Sequence, residues 1–327
     1  MDSGDSLTVQ PGAAAARSAF WRTVLGYALA GAGLIWVFHD VHIERMAGYI
    51  GSMSWWWVLP AVASDILGYV CDAVRWRVLL LPVGRMSLLR ATQAVYVGLF
   101  ANEVMPMRLG ELVRAYLASR WLGRHIPDVI PSMLVSRLLD GVWMAIGFGL
   151  VAILVPLPRD LMLGGDVFGA VVLLLAGVFL CLALGKSRFG GRFQGFQQIG
   201  AGRTMAVAGA FSFAFLAFEV ISFWLVMEAF HLGLPLSAGA AVYLIVRLGT
   251  VLPNAPANVG SYQFFTVLGL SLFGIEKTRA TGFSVVVFIL LTLPLWALGL
   301  AALSRTGMTL SNIRADIRSA VRLKDGG

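Results

Sequence analysis

Asp65, Asp72, Arg75, Arg137, Asp140, Glu219 and Arg247 lie in stretches of sequence that are otherwise apolar. A charge at the centre of a membrane helix costs about 2.5–3.5 kcal/mol, so such residues are candidates for ion pairing, proton transfer or substrate binding. Asp65 and Asp72 are seven apart, on one helix face, and Arg75 follows Asp72 by three, close enough to neutralise it. Arg137 and Asp140 repeat that spacing, and Arg137, Asp140, Glu219 and Arg247 are expected to be the deeper set. Two Gly/Pro-rich breaks offer a second kind of chemistry, at Asn102–Gly110 (NEVMPMRLG) and Pro253–Gly260 (PNAPANVG). Helix arms starting at Gly110 and Gly260 would present free N–H groups, which favour anions, phosphate above all. Arg108 adds a fork that matches phosphate, and Asn102, Asn254 and Asn258 add neutral donors and acceptors. Glu111 sits in the first turn of its arm, where it either balances charge or stabilises the helix dipole. Internal ion pairs that merely lock helices together are the competing reading, strongest for Asp72/Arg75 near a helix end.

The elements that must position these groups are membrane helices. Of 327 residues, 58% are hydrophobic and 13% charged, against about 45–50% and about 25% in soluble domains. Apolar regions run over 22–38, 55–74, 88–120, 129–155, 167–185, 205–230, 236–274 and 281–303. The third and seventh are too long for one span, and the breaks divide each into a helix, a loop and a shorter helix. Such arms cannot cross about 30 Å of hydrocarbon at about 1.5 Å per residue, which predicts re-entrant hairpins.

With both termini cytoplasmic, Arg45, Arg159, Lys277 and Arg279 are the four basic residues left outside. Arg137 and Arg247 fall within spans, and the other 19 of 25 lie on the cytoplasmic side. That skew obeys the positive-inside rule and suits an inner, cell membrane. The hairpins then open to opposite sides, and Pro106-Met-Arg-Leu-Gly110 matches Pro256-Ala-Asn-Val-Gly260 at an offset of 150. The expected fold is an all-α integral membrane protein with about six full transmembrane helices plus two re-entrant broken-helix hairpins in an inverted-topology repeat. Its parts are a disordered leader (1–20), a first repeat (21–155), an inverted second repeat (156–303) and a basic cytoplasmic tail (304–327). In the tail, Ile313, Ile317 and Val321 beside Arg314, Arg318 and Arg322 predict an amphipathic helix on the inner leaflet.

The net charge of +8 is distributed by topology rather than gathered in a patch, which argues against nucleic acid. Cys71 and Cys181 are too few for a disulfide framework and read as small apolar residues. The four histidines, His39, His42, His125 and His231, lie in loops or span ends, and no HExxH, Walker or GxSxG motif occurs. No metal, no cofactor and no ATP-driven step by this chain alone is expected.

NEVMPMRLGELVRAYLASR, SRLLDG at Ser136–Gly141 and LPNAPANVGSYQFFTVLGLSLFGI together resemble the flippase-like membrane domain of lysylphosphatidylglycerol synthases, stand-alone members included. The resemblance spans essentially the whole chain. It carries Asn102, Pro106, Arg108, Gly110, Glu111, Arg114, Arg137 and Asp140 onto the family's pattern, with Arg75-Trp76 matching its Arg-Trp. Gln263 stands where many relatives have Glu, which weakens a proton-coupled role at that position. No counterpart of the soluble aminoacyl-transferring domain is present, so lysyl-lipid synthesis is not expected.

The resemblance implies translocation of a lipid: aminoacyl-phosphatidylglycerol, a glycolipid, a polyprenyl-phosphate-linked sugar or a hopanoid-related lipid. The expected head-group contacts are Asn102, Arg108, Gly110, Glu111, Arg114, Arg137, Asp140, Arg247, Asn254, Asn258 and Gln263. Asp65, Asp72, Arg75 and Glu219 are assigned to charge balance or proton coupling. Membrane lipids are the expected partners, with a lipid-modifying enzyme as a further candidate. The alternatives are a membrane-embedded transferase on lipid-linked substrates and a non-catalytic partner of a lipid-modifying enzyme.

Overall fold

With no water in the hydrocarbon core, each apolar run must satisfy its own backbone polar groups, and a helix does so within one segment. The computed structural model describes residues 27–105, 109–155, 158–184, 199, 202–251, 258–313 and 316. Among these, the elements are α1 (Tyr27–Phe38), α2 (Ile43–Gly51), a 3-10 turn at Trp55–Trp57, α3 (Val58–Leu79), α4 (Leu88–Val104) and α5 (Gly110–Leu122). Then follow α6 (Ile126–Leu154), α7 (Arg159–Leu184), α8 (Gly202–Ala229), α9 (Leu236–Gly249), α10 (Ser261–Ser271) and α11 (Lys277–Ser304). Five helices are long and apolar enough to cross a membrane: Trp55–Leu79, Ile126–Leu154, Arg159–Cys181, Gly202–Ala229 and Lys277–Ser304. The protein is an all-α integral membrane protein. The first expected span is represented by α1, whose described part is short. The leader, Arg108, Asn254, Ile317 and Val321 lie outside the described residues.

The broken regions form two helical hairpins, α4–α5 and α9–α10, with arms of 17, 13, 14 and 11 residues. Ser87 caps α4, accepting from the Arg90 N–H at 3.3 Å, and α5 ends at Gly123 in the left-handed region, φ +61°. The arms of the first hairpin meet at glycines. A Cβ on Gly98 would stand 2.9 Å from the Gly110 carbonyl oxygen.

The packing partners of the two halves correspond. α3 packs on α8; α4 meets α11 as α9 meets α6; α5 lies on α6 as α10 lies on α11; and α2 touches α11 as α7 touches α6. The central pair is stitched by reciprocal bonds, Ser64 Oγ to the Phe218 carbonyl at 2.7 Å and Ser222 Oγ to the Ala61 carbonyl at 2.8 Å. The residue order reverses between those bonds, so α3 and α8 run antiparallel.

Several expectations need correction. α7 begins at Arg159, before the apolar run at 167, because Asp160 suits the first turn of a helix. α2 escaped the sequence reading; it is a short amphipathic helix whose Tyr49 hydroxyl donates to Glu276 at 3.0 Å. The tail's apolar face meets protein at Ile313, which is fully buried with α4 and α5 neighbours, rather than lipid. Arg75 and Arg114, counted above as cytoplasmic, are buried inside the protein, which shortens that tally by two without reversing it.

Candidate functional site

Three helices of the first half each carry an acid and a base three residues apart: Asp72/Arg75 on α3, Glu111/Arg114 on α5 and Arg137/Asp140 on α6. That spacing puts both charges of a helix on one face, and the three faces converge. Arg114 Nη1 donates to Asp72 Oδ2 at 3.0 Å. Arg75 bridges Asp72 and Asp140, and its Nη1 also donates to Ser212 Oγ of α8 at 2.5 Å. Arg137 Nη1 donates to Asp140 Oδ2 at 3.2 Å, while its Nη2 donates to Glu111 Oε1. Charges alternate along the chain Glu111–Arg137–Asp140–Arg75–Asp72–Arg114, which sums to zero. The Arg114 guanidinium also lies over the Trp76 ring, 4.0 Å from its centroid.

Enclosure by protein differs among these charges, with Glu219 and Asp140 both largely covered. Asp72/Arg75 is the most enclosed pair, whereas the Arg137 side chain is 49% exposed and that of Glu111 36%. The cause is tertiary: α6 packs on both α3 and α5, Arg114 of α5 reaches Asp72, and Arg137 of α6 is left at the edge of a cleft.

A second cluster lies where α3, α8 and α9 meet. Asp65 and Glu219 are buried at hydrogen-bonding range of one another. The Tyr243 hydroxyl donates to Glu219 Oε2 at 3.0 Å. Arg247 lies over the Tyr243 ring, 5.8 Å from its centroid. Unlike Arg75, Arg114 and Arg137, it makes no ion pair among the described residues. A cleft of about 220 Å³ joins the two clusters, lined by Asp140, Trp143, Met144, Ser212, Phe215, Leu216 and Arg247. A cleft of about 180 Å³ opens beside the first hairpin, lined by Val95, Gly98, Leu99, Asn102, Gly110, Glu111, Arg114 and Arg137. Neither leaves room for more than about one water-sized molecule, far from the roughly 300 Å³ at the small end of ligand pockets.

The helix starts at the breaks are not open as expected. The Gly110 N–H donates to Asn102 Oδ1 at 2.8 Å, and the Gly260 N–H donates to Gln263 Oε1 at 2.7 Å. Each arm therefore spends one amide on a side chain of its own hairpin, which makes Asn102 and Gln263 caps before they are ligands. Asn258 holds a left-handed backbone, φ +54°, at the second break. Ser212, Trp143 and Tyr243 were missed, because a lone Ser, Trp or Tyr in an apolar span carries no periodic or charge signal. Among the described residues, no group of three or more His, Cys, Asp or Glu side chains could hold a metal ion.

A deep network of this kind, on broken hairpins, sits in the part of the chain that matches a known domain. Residues 23–299 match the family model described as the lysylphosphatidylglycerol synthase TM region. The chain belongs to this family. No curated protein matches the chain. Membership of the lysylphosphatidylglycerol synthase TM region family ties this membrane protein to lipid handling. The match includes both hairpins and all six residues of the charge chain.

Proposed function

We propose that this protein translocates a lipid across the membrane, as a flippase or scramblase, with the head group passing between the first hairpin and the central helices while the tails stay in the bilayer. The observation that carries the reading is Arg247, a cation lining an interior cleft with Glu219 and Asp140 near it but no direct ion pair among the described residues. A guanidinium that is not already locked in a direct ion pair keeps its fork free, and a lipid phosphate matches that fork in charge and geometry. Trp143 and Phe215 line the same cleft and suit the glycerol and upper chain of such a lipid.

The antiparallel α3/α8 pair and the matched packing of the halves support an inverted repeat, with each hairpin re-entrant from its own side. In such repeats the site lies near the midplane and one half rocks against the other. The buried Asp65/Glu219 pair suits charge balance beside Arg247, and the Tyr243 hydroxyl orients Glu219. Transport rather than catalysis, an inner-membrane location and cytoplasmic termini complete this reading.

The test is reconstitution of the purified chain in liposomes carrying fluorescent phosphatidylglycerol, phosphatidylethanolamine or a glycolipid, with the outer leaflet bleached by an impermeant reductant. Wild type should expose label from the inner leaflet, and Arg247→Gln should lower the rate at least tenfold. Equal leaflet exchange for all lipids with empty liposomes would sink the proposal. Conversion of labelled lipid by the protein would favour a transferase.

A further inference from the structure

Five ion pairs join the six charges of the network, and one of them differs from the rest. Side-chain exposure is 1% for Arg75, 9% for Asp72, 6% for Arg114 and 11% for Asp140, against 49% for Arg137 and 36% for Glu111. Enclosed pairs are held by their surroundings, because losing a partner strands a buried charge. A pair that opens on one side to the second cleft has fewer protein partners to hold it, so an anion entering the cleft can compete for Arg137. The network is therefore rigid from Arg114 to Asp140 and loose at its Glu111 end.

The loose pair is also the bond between α5 and α6 at the rim of the second cleft. The Arg137 guanidinium divides its duties: Nη1 stays with Asp140 on its own helix, and Nη2 reaches across to Glu111. Removing Glu111 leaves Arg137 neutralised and frees one edge of its fork. The same cleft contains Arg114, 5% exposed, whose Nε and Nη2 lack a hydrogen-bond partner among the described residues. The cleft is also lined by Gly110, the first residue of α5, and by Asn102 in the last turn of α4.

We infer that Glu111–Arg137 is a latch on the first hairpin, opened when the phosphate of a lipid head group takes the place of Glu111 on Arg137. The exchange trades one anion for another on a guanidinium that keeps its second partner. It loosens the α5 arm from α6 at its N-terminal end and turns the phosphate toward Arg114. Glu111 is here a competitor of the substrate and Arg137 its first contact. The inference rests on the lipid reading above, and its test separates the two.

The full chain in detergent is titrated calorimetrically with dihexanoyl-phosphatidylglycerol and, in a separate arm, with inorganic phosphate. Glu111→Gln removes the competitor and should bind the short lipid about fivefold tighter than wild type, the factor that about 1 kcal/mol represents. Arg137→Gln should bind it at least tenfold more weakly. Glu111→Asp retains the charge, guards against a folding defect in Glu111→Gln, and should bind like wild type. Unchanged or weaker binding by folded Glu111→Gln overturns the latch, as does no binding by any variant. Inorganic phosphate bound as tightly as the lipid overturns the lipid as ligand. Tighter binding by Glu111→Gln in a protein that moves no lipid keeps the latch and removes the transport reading. Transport by wild type without that tightening does the reverse.

Discussion

The two hairpins share a plan and differ in what seals them. Around the first break, α5 and α6 bring Glu111, Arg114, Arg137 and Asp140 together with Asp72 and Arg75 of α3. Around the second, α10 carries no charged residue, α11 carries only Lys277 and Arg279 in its first turn, and α9 carries Arg247. Its seal is aromatic: Tyr262 on Phe288 at 5.3 Å between centroids, Phe264 on Phe265 at 5.2 Å, and Trp36 of α1 edge-on to Phe264 at 5.0 Å. α1 lies against the break itself, where a Cβ on Gly33 would come within 3.1 Å of the Gly260 carbonyl oxygen. Aromatic contacts are short-ranged and indifferent to ions. An ionic network can exchange partners without leaving a hole. The second break is sealed mainly by rings and the first by charges, while Arg247 of α9 is the second hairpin's contribution to the interior cleft.

The largest expected effect is at the hub of the network. Arg75→Leu strands Asp140 and Asp72 on one side each and leaves Ser212 without its donor. It should lower unfolding stability in detergent by about 3–5 kcal/mol, the usual cost of breaking a buried pair. A loss under 1 kcal/mol would mean that the network is not one unit. The second break should answer to shape instead. Gly260→Ala meets the backbone of Ala30 and holds φ +88°, so about 1–3 kcal/mol of overpacking adds to backbone strain. Its melting curve should shift while the affinity for short-chain phosphatidylglycerol does not. Smaller still, Phe288→Leu removes the ring contact to Tyr262 and should cost about 1 kcal/mol, again without a change in lipid affinity. A changed lipid affinity in either variant would erase the contrast between the halves.

How far the sequence reaches follows the same division. Span positions, the two breaks and the short arms could be read from apolar runs and prolines, because the bilayer imposes their lengths. The acid–base pairs within α3 and α6 were visible as i, i+3 spacings, while Glu111/Arg114 on α5 has the same spacing and was passed over. The bonds between helices were not: Glu111 to Arg137, Asp72 to Arg114 and Arg75 to Asp140 depend on how three helices rotate against one another, and spacing along one helix says nothing of that. The same gap hid that Arg75 is enclosed by neighbouring helices while Arg137 opens to a cleft. The caps at Asn102 and Gln263 were overlooked for a related reason, since a polar residue near a broken helix start serves a ligand or its own backbone equally well until the loop closes.

The smallest effect tests whether the first hairpin is held at its far end as well as at its latch. The Tyr116 hydroxyl of α5 donates to Asp316 Oδ2 at 2.5 Å, and Ile313 beside it is fully buried against the first-half core. The tail thus straps the C-terminal end of α5, while Glu111 holds its N-terminal end. Asp316 is about half exposed, so Asp316→Asn should cost only about 0.5–1 kcal/mol, in the lower part of the range for a hydrogen bond. If the strap and the latch restrain the same motion, Asp316→Asn should raise the lipid-exchange rate modestly, and combining it with Glu111→Gln should raise it beyond either alone. A strap that serves stability only would lower the melting point in both backgrounds and leave exchange untouched. The double variant therefore decides whether α5 moves as a rigid arm held at two points or pivots about a fixed tail.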